Sequence, residues 1–284
     1  MKTLVTGWKG FVGSHLVKKL KKEGCGVVFF NGDVTKDSIT ENVDVVYHLA
    51  AILDEDNKQL FHVNVDGTKN IVKFCKDHDC KLIYLSSAGV LSFDKVPVDE
   101  NSPYHPETKY EKTKMIAERI IISSGIRYTI LRSTIIIGPN KHWLEIVRAI
   151  KNGYPPVGGK NFFHLIYIED VVDALIWALF HDGVYNIGAP DVLRFIDVYN
   201  LFCKYLGIQP KKSVSPTKAL VLSYLYSIWL KLKREESQFI KRIPYIKRLL
   251  KNRKLCVNKI MNNGFVPKYN TEEAIKLTVE RLKE

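Results

Sequence analysis

Tyr110 and Lys114 are the residues whose type and spacing most directly indicate chemistry. They lie four residues apart in KYEKTK, a spacing that places both side chains on one face of a helix. A neighbouring ammonium group stabilises a tyrosinate, so the phenol of such a pair can act as an acid or base near neutral pH. The pair alone is common on solvated helix faces, and its meaning depends on the motifs around it.

Two serines follow an apolar run that predicts a strand. Ser86 and Ser87 lie in LSSAG, at the end of the run KLIYLSS. In parallel sheets between helices, ligands bind outside the carboxyl ends of the strands. A serine hydroxyl at this edge can hydrogen-bond a substrate oxygen that Tyr110 protonates or deprotonates.

A glycine-rich loop stands near the start of the chain. TGWKGFVG carries Gly7, Gly10 and Gly13 between a predicted strand and a predicted helix. Glycines at such a place let the backbone turn tightly and approach a pyrophosphate, which then binds the free N–H groups of the helix N-terminus. This context predicts a dinucleotide site.

Asp33, in VVFFNGDVTKD, follows Gly13 by 20 residues. In dinucleotide-binding βαβ units, an acidic residue at about this distance often binds the adenosine ribose and selects NAD over NADP. The spacing therefore makes Asp33 a candidate ribose ligand.

Strand and helix patterns alternate over the first two thirds of the chain. Near-continuous apolar strands between helices are typical of a parallel sheet covered on both faces. We predict an α/β fold, a Rossmann-like doubly wound parallel sheet with a smaller, mostly helical C-terminal substrate lobe. The predicted dinucleotide-binding domain is 1–138 plus about 166–190, and the predicted substrate-binding lobe is about 139–165 plus 191–284.

The composition is that of an ordinary soluble globular protein, with 284 residues, 46% hydrophobic and 26% charged. The net charge of +13 suits an anionic ligand such as a nucleotide, and it is also compatible with plain surface composition. No nucleic-acid-binding motif accompanies the charge, so nucleic acid is not an expected partner.

Cysteine usage and the start of the chain indicate the compartment. The five cysteines form no Cys-x-x-Cys pair, so neither a metal site nor a disulfide framework is expected. The sequence begins directly with a strand and the glycine loop, without a signal-peptide pattern. We therefore expect a cytoplasmic protein.

Residues 217–254 combine an apolar run with a Lys/Arg-rich stretch. The run Ala219–Leu230 has 12 residues, fewer than the roughly 20 that span a membrane. The segment can contact a membrane surface, line an apolar substrate pocket, or pack on the sheet domain or on a second subunit.

Taken together, these motifs resemble the extended short-chain dehydrogenase/reductase family, of the NAD-dependent epimerase/dehydratase type. The resemblance covers nearly the whole chain except about 211–256. The segments that carry it follow in order: TGWKGFVGSHL, GDVTKD, VVYHLAA, NVDGTKNIV, LSSAGV, YEKTKMIAE, LRSTIIIGP, IYIEDVVDAL, VYNIG and GFVPKYNTEEAI.

This resemblance assigns catalytic roles. Tyr110 is implied to be the acid/base, and Lys114 to hold the nicotinamide ribose and lower the tyrosine pKa. Ser87 matches the position that polarises the substrate, with Ser86 as the second choice. Hydride passes between the nicotinamide and a carbinol carbon while Tyr110 handles the hydroxyl proton.

The resemblance also reinterprets Asp33. GDVTKD matches a motif whose aspartate faces the adenine, and a β-α segment that usually carries the ribose selector is missing before it. Phe30 or Asn31 then lies near the ribose, and Lys9 can contact a 2′-phosphate. The cofactor is NAD or NADP, with NADP favoured. The implied cofactor-binding residues are Gly7, Lys9, Gly10, Phe11, Val12, Gly13, Asp33, Val34, Leu49, Ala50, Ala51, Tyr110 and Lys114.

The family acts on several classes of small-molecule substrate. We expect an epimerase or dehydratase of a nucleoside-diphosphate sugar. The alternatives are a reductase or dehydrogenase of a lipophilic, hydroxysteroid-like or dihydroflavonol-like alcohol or ketone, and a non-catalytic dinucleotide sensor. Relatives often form homodimers through two helices of the sheet domain, one of which is the Tyr–Lys helix.

Overall fold

The computed structural model describes residues 1–221 and 250–283 as two compact units. The first unit comprises Met1–Ile136, Ile166–Pro190 and Leu255–Lys268, and the second comprises the rest of the described chain. Among the helices described, none has the length and hydropathy that crossing a bilayer requires. Most of the segment 217–254, for which membrane contact was one interpretation, lies outside the described residues.

A six-stranded parallel sheet forms the centre of the first unit. Its strand order is β2-β1-β3-β4-β5-β9. The predicted Rossmann-like fold is confirmed. The strands of this sheet are β1 (Lys2–Thr6), β2 (Gly26–Phe29), β3 (Val45–His48), β4 (Lys81–Ser87), β5 (Tyr128–Ser133) and β9 (Gly183–Ile187).

Helices cover both faces of this sheet. Consecutive apolar side chains along its strands point to opposite faces, so both faces have to be buried. In β1, Leu4 and Val5 are both fully buried, and they belong to two different core clusters. Leu4 packs with residues of α2 and α3, and Val5 packs with residues of α1 and α5. The helices of this unit are α1 (Phe11–Lys22), α2 (Gly67–Asp77), α3 (Lys109–Ile122), α5 (Ile168–Trp177) and α7 (Asn258–Asn262).

The edge strand β2 explains the unusual spacing of Asp33. β2 pairs with β1 and forms the end of the sheet. The usual Rossmann order places one more strand beyond this position. Here the chain turns at Asp33 soon after β2 and continues to β3, on the other side of β1. One strand therefore separates the glycine loop from the Asp33 turn.

The second unit is mostly helical. α8 packs against α6, and Glu272 of α8 accepts hydrogen bonds from Lys204 and Tyr205 at 2.8 and 2.7 Å. Trp143 of α4 stacks on Phe202 of α6. Helices of this unit include α4 (Lys141–Lys151), α6 (Phe195–Leu206) and α8 (Thr271–Arg281), and an antiparallel strand pair is formed by β7 (Phe162–Phe163) with β10 (Leu193–Arg194). Two further strands, β6 (Ile135–Ile137) and β8 (Leu165–Tyr167), lie where the chain passes from one unit to the other.

The division differs from the expected one at Leu255–Lys268. We expected this segment in the substrate lobe, whereas it packs with the first unit. Leu255, Val257, Ile260 and Phe265 are buried in the same core cluster as residues of β9 and α5. Burial of these apolar side chains returns the chain to the sheet before α8 begins.

Candidate active site

The glycine loop is an open cradle of backbone. Gly7 has a φ of 67°, and a Cβ there would lie 2.6 Å from the Ala50 nitrogen. A Cβ at Gly13 would collide with the carbonyl oxygen of Gly7. Gly10 caps the N-terminus of α1 and offers no side chain to its N–H groups, while Phe11, Val12 and Gly13 form the first turn. The loop therefore presents free helix N–H groups to an anion.

A cavity of about 300 Å³ opens beside this loop. It brings together the glycine loop, the end of β2 and the segment after β3. Leu49 and Ala51 flank the lining residue Ala50 without lining the cavity themselves. The lining residues are Gly7, Trp8, Lys9, Phe30, Asn31, Gly32, Asp33, Val34, Ala50 and Val63.

Asp33 forms a turn of its own at the cavity wall. Its Oδ1 accepts hydrogen bonds from the backbone N–H and the hydroxyl of Thr35, at 2.9 and 2.7 Å. These bonds lower the pKa of the exposed Asp33 carboxyl. Asn70 of α2 ties the turn to the sheet unit by donating to the carbonyl oxygens of Val34 and Thr35.

Asn31 and Trp8 are cavity residues that neither motif nor spacing singled out as a pair. The Trp8 Nε1–H donates to the Asn31 Oδ1 at 3.2 Å, and the Trp8 ring lies 4.9 Å from that of Phe29. The Lys9 ammonium lies 5.0 Å from the centre of the Trp8 ring. In the described part of the chain, Lys9 makes no ion pair. A neutral amide and a lysine without a carboxylate partner thus stand side by side at this wall.

The Tyr–Lys helix begins at a well-formed cap. Thr108 accepts from the Glu111 N–H, and the Glu111 side chain accepts from the Thr108 N–H, a capping box that fixes the first turn of α3. Gly89, two residues after Ser87, packs directly on the Glu111 side chain. The capped turn that carries Tyr110 therefore lies against the segment that follows β4.

Lys114 joins α3 to β4. Its Nζ donates to the Leu85 carbonyl oxygen at 2.9 Å, and the residue as a whole is 3% exposed. Burial lowers the lysine pKa to about 7, against an opposing effect of the Glu118 charge. Within residues 1–221 and 250–283 the ammonium has no second hydrogen-bond acceptor, so two of its donors are left for a ligand.

The two serines have different surroundings. Ser86 is buried and its hydroxyl donates to Glu118 Oε1 at 2.5 Å. Ser87 is half-buried and its Oγ accepts from the Gly89 N–H at 3.1 Å. Among the described residues the Ser87 hydroxyl proton has no acceptor, which leaves it available to a substrate oxygen.

A buried ion pair that the sequence did not reveal braces this region. Arg132 of β5 donates to both oxygens of Glu118, and Tyr104 donates to Oε2 at 2.8 Å. Arg132 also donates to the Glu100 carbonyl oxygen at 2.9 Å. The signal in the sequence is a glutamate one helical turn after Lys114, on the face that packs on the sheet.

His48 ties the cofactor segment to the interior. Its Nδ1 lies 2.8 Å from the Thr6 hydroxyl and its Nε2 lies 3.0 Å from the Thr68 hydroxyl. Thr6 in turn accepts from the N–H groups of Leu49 and Ala50. Burial and the Lys114 charge lower the His48 pKa to about 3, so the ring is neutral at physiological pH. Both ring nitrogens of this packed histidine are bonded.

These residues fit a nicotinamide dinucleotide. A Cβ at Gly7 or Gly13 would collide with the backbone of Ala50 or of Gly7, so only glycine allows the tight turn that leads into the helix N-terminus, where a pyrophosphate would bind. At the carboxyl end of β4, the two remaining donors of Lys114 suit vicinal ribose hydroxyls. The glycine loop, the Ala50 segment and the Tyr–Lys helix are thus the parts of this unit that would hold the phosphates, the adenosine and the nicotinamide ribose of such a cofactor.

Similarity to curated proteins extends over most of the chain. The protein is 27% identical over 282 residues to a UDP-glucose 4-epimerase of Lactobacillus helveticus, with 77% of this chain and 86% of the relative covered. It is 28% identical over 280 residues to a putative UDP-glucose 4-epimerase of Methanocaldococcus jannaschii, with 82% and 91% covered. It is 29% identical over 209 residues to the human sterol-4-alpha-carboxylate 3-dehydrogenase, with 61% and 56% covered.

Solved structures share the fold. A UDP-glucose 4-epimerase of Thermotoga maritima, solved with UDP-glucose, superimposes with a TM-score of 0.78 at 22% identity, covering 100% of this chain and 99% of that one. A UDP-glucuronic acid 4-epimerase of Bacillus cereus, in complex with NAD, gives a TM-score of 0.79 at 20% identity with the same coverage.

The sequence profile of the NAD dependent epimerase/dehydratase family matches residues 3–188, which is more than half of the chain. This stretch contains the glycine loop, Asp33, both serines and the Tyr–Lys helix. The expected family and the expectation of an enzyme are confirmed. The chain belongs to the NAD dependent epimerase/dehydratase family, within the extended short-chain dehydrogenases/reductases.

Proposed function

We propose that the protein epimerises or dehydrates a nucleoside-diphosphate sugar, with Ser87, Tyr110 and Lys114 as its catalytic residues and NAD or NADP as cofactor. The observation that carries the proposal is the junction of α3 and β4. There, buried Lys114 joins the helix of Tyr110 to the strand that ends at Ser87. A non-catalytic sensor has no need of an acid/base pair at this point.

The substrate class rests on the relatives. A UDP-glucose 4-epimerase and a putative UDP-glucose 4-epimerase align with 77% and 82% of this chain and with most of their own length. The human sterol dehydrogenase aligns with 61% of this chain, so the agreement extends less far. The greater share of this chain that aligns with the sugar enzymes supports a nucleotide-sugar substrate.

The three side chains divide the proton chemistry between them. Ser87 donates a hydrogen bond to the substrate oxygen through its hydroxyl and so aligns it, without giving up the proton. Tyr110 takes the proton of the substrate hydroxyl in one direction and returns it in the other. Lys114 supplies a positive charge one helical turn away, which favours the tyrosinate form. A bound nicotinamide supplies reversible hydride exchange at the carbon that carries this oxygen.

We further propose that the cofactor pocket favours NADP. Lys9 lines the cavity and makes no ion pair among the described residues, and Asn31 stands near the ribose position where a carboxylate would repel a 2′-phosphate. Asp33 lines the same wall, but its Oδ1 is engaged by Thr35 in the adenine-side turn. These contacts support Lys9 as the residue that distinguishes the two cofactors.

A second candidate function is the oxidation of a lipophilic alcohol. The relative that favours it is the human sterol-4-alpha-carboxylate 3-dehydrogenase, at 29% identity. The strand after β5 has the sequence Ile-Ile-Ile, Ile135–Ile137, and offers apolar side chains. The same three catalytic residues would then serve a net oxidation, with reduced cofactor as a product.

The test is a titration of the protein with UDP-, GDP- and dTDP-sugars by calorimetry, with NAD or NADP present, followed by chromatography of the products. We expect one nucleotide sugar to bind and to be converted without net accumulation of reduced cofactor. If none binds, and a sterol-like alcohol instead drives formation of reduced cofactor, the second candidate function is correct.

A further inference from the structure

Tyr84 presents the face of its ring to the Lys114 ammonium. The Nζ lies 4.4 Å from the centre of the Tyr84 ring, against 5.9 Å from the Tyr110 ring. Both side chains are almost completely buried, at 1% exposure for Tyr84 and 3% for Lys114. A cation within about 6 Å of an aromatic face is attracted by the ring quadrupole, and the attraction is strongest where water is excluded.

The other groups around Lys114 do not replace the contact between its ammonium and the Tyr84 ring. The Leu85 carbonyl oxygen takes one ammonium proton. Glu118 follows on the same helix, but its two oxygens already accept from Ser86, Tyr104 and Arg132. His48 of the neighbouring strand is neutral near pH 7, because burial and the Lys114 charge lower its pKa. It therefore offers Lys114 no opposite charge.

The position of the Tyr84 ring is fixed by its strand and by its hydroxyl group. It lies within β4, paired with His48 of β3 on one side and Ile130 of β5 on the other. Its hydroxyl hydrogen-bonds the Thr68 side chain of α2, and its ring lies 5.6 Å from that of His48. Strand pairing and this bond fix the ring before any ligand binds.

We propose that Tyr84 is a positioning residue whose ring face holds the Lys114 ammonium in place and in its charged form. Its consequence for turnover rests on the proposed function, in which charged Lys114 assists Tyr110. The contact itself belongs to the protein without cofactor. It extends the Tyr–Lys pair to an aromatic residue on a different element, 26 positions before Tyr110 in the sequence.

The direct test is the pKa of Lys114 in cofactor-free protein. Heteronuclear NMR of lysine-labelled protein follows the Cε resonance of Lys114 against pH, with Lys114→Met used for assignment. The wild-type residue should titrate near pH 7. In Tyr84→Leu we expect the midpoint to fall by about half to one pH unit, since the ring no longer favours the ammonium.

Tyr84→Phe is the matched control. It keeps the aromatic face and removes the hydroxyl bond to Thr68, so the midpoint should stay within about 0.3 pH unit of wild type. If Tyr84→Leu fails to fold by circular dichroism, Tyr84→Met provides a longer apolar side chain without a ring. A midpoint in Tyr84→Leu or Tyr84→Met that is unchanged or raised overturns the proposal, as does an equal fall in Tyr84→Phe.

Turnover separates this proposal from the proposed function. With an active substrate in hand, the loss of activity that follows Lys114 deprotonation should begin at lower pH in Tyr84→Leu than in Tyr84→Phe. Full turnover in Tyr110→Phe would refute the proposed function and leave the NMR result standing. Loss of turnover in Tyr110→Phe, together with an unshifted Lys114 titration in Tyr84→Leu, would refute the role of Tyr84 alone.

Discussion

Ser86 donates a 2.5 Å hydrogen bond to Glu118, whereas its neighbour Ser87 has no partner for its hydroxyl proton among the described residues. Adjacent residues of a strand point to opposite faces. Ser86 therefore bonds to Glu118 of α3, and Ser87 remains at the edge of the sheet. This relationship separates a structural serine from a proposed catalytic one, which a run of two serines in the sequence leaves open.

Replacement of each serine should therefore have a different effect. Ser87→Ala should lower kcat by about 100-fold, the usual effect of losing one donor to a reacting oxygen, with little change in stability. Ser86→Ala should lower the free energy of unfolding by about 1 to 3 kcal/mol, because Glu118 loses a buried donor. Steady-state kinetics and urea denaturation of both variants measure these effects. The reverse result, a stable but inactive Ser86→Ala, would make Ser86 the substrate-contacting residue.

Lys9→Ala tests the choice of cofactor. Removal of the ammonium should weaken NADP binding by about tenfold and leave NAD binding within about twofold, since only NADP carries the extra phosphate. Quenching of tryptophan fluorescence can report binding, because Trp8 lines the same cavity. Lys36→Ala, which removes an exposed lysine that pairs with Asp33, is the matched control for a general loss of charge. A strong preference for NAD in wild type that Lys9→Ala leaves unaltered would refute this proposal.

His48 should make stability depend on pH between about 6.5 and 5. Its pKa is near 6.5 in the unfolded chain and about 3 in the folded protein, so the unfolded state binds the extra proton. This contribution to stability is complete above pH 6.5 and is lost as the pH falls towards 3. The loss between pH 6.5 and 5 should be about 2 kcal/mol. Lys114, with a folded pKa of about 7, is mostly protonated in both states over this range.

Urea denaturation of wild type and His48→Gln at several pH values isolates that contribution. Carboxyl groups titrate similarly in both proteins, so the difference between the two slopes reports the histidine. The variant should be less stable at pH 7.5, because bonds to Thr6 and Thr68 change, yet it should lose less stability on acidification. Equal slopes would show that His48 takes up a proton in the folded protein as readily as in the unfolded chain.

Local patterns predicted the fold well, because they are short-range. The apolar run that contains Leu4 and Val5 and the glycines that follow it define a strand, a turn and a helix within 22 residues. Tyr110 and Lys114, four residues apart, likewise lie in one helix, α3. Such features depend on neighbours in the sequence and need no knowledge of distant contacts.

The interior of the site depended on contacts that no local pattern contains. Glu118 and Arg132 lie 14 positions apart in the sequence, and no pattern in either segment predicts the ion pair between them. In the sequence, Tyr84 is an ordinary residue of a predicted strand, and its contact with the Lys114 ammonium is visible only in the structure. The Trp8–Asn31 bond joins residues 23 positions apart, across the glycine loop and β2. Long-range pairing of this kind requires the folded sheet.

The variant Tyr110→Phe tests whether the Tyr110 hydroxyl is the acid/base of the reaction. Turnover of the nucleotide sugar identified by titration should fall by about 100-fold or more, because the ring remains and only the proton-transferring hydroxyl is lost. Cofactor affinity, measured by calorimetry on the same preparation, should stay within about twofold of wild type. Wild-type turnover in Tyr110→Phe, with the cofactor bound normally, would show that Tyr110 is not the acid/base.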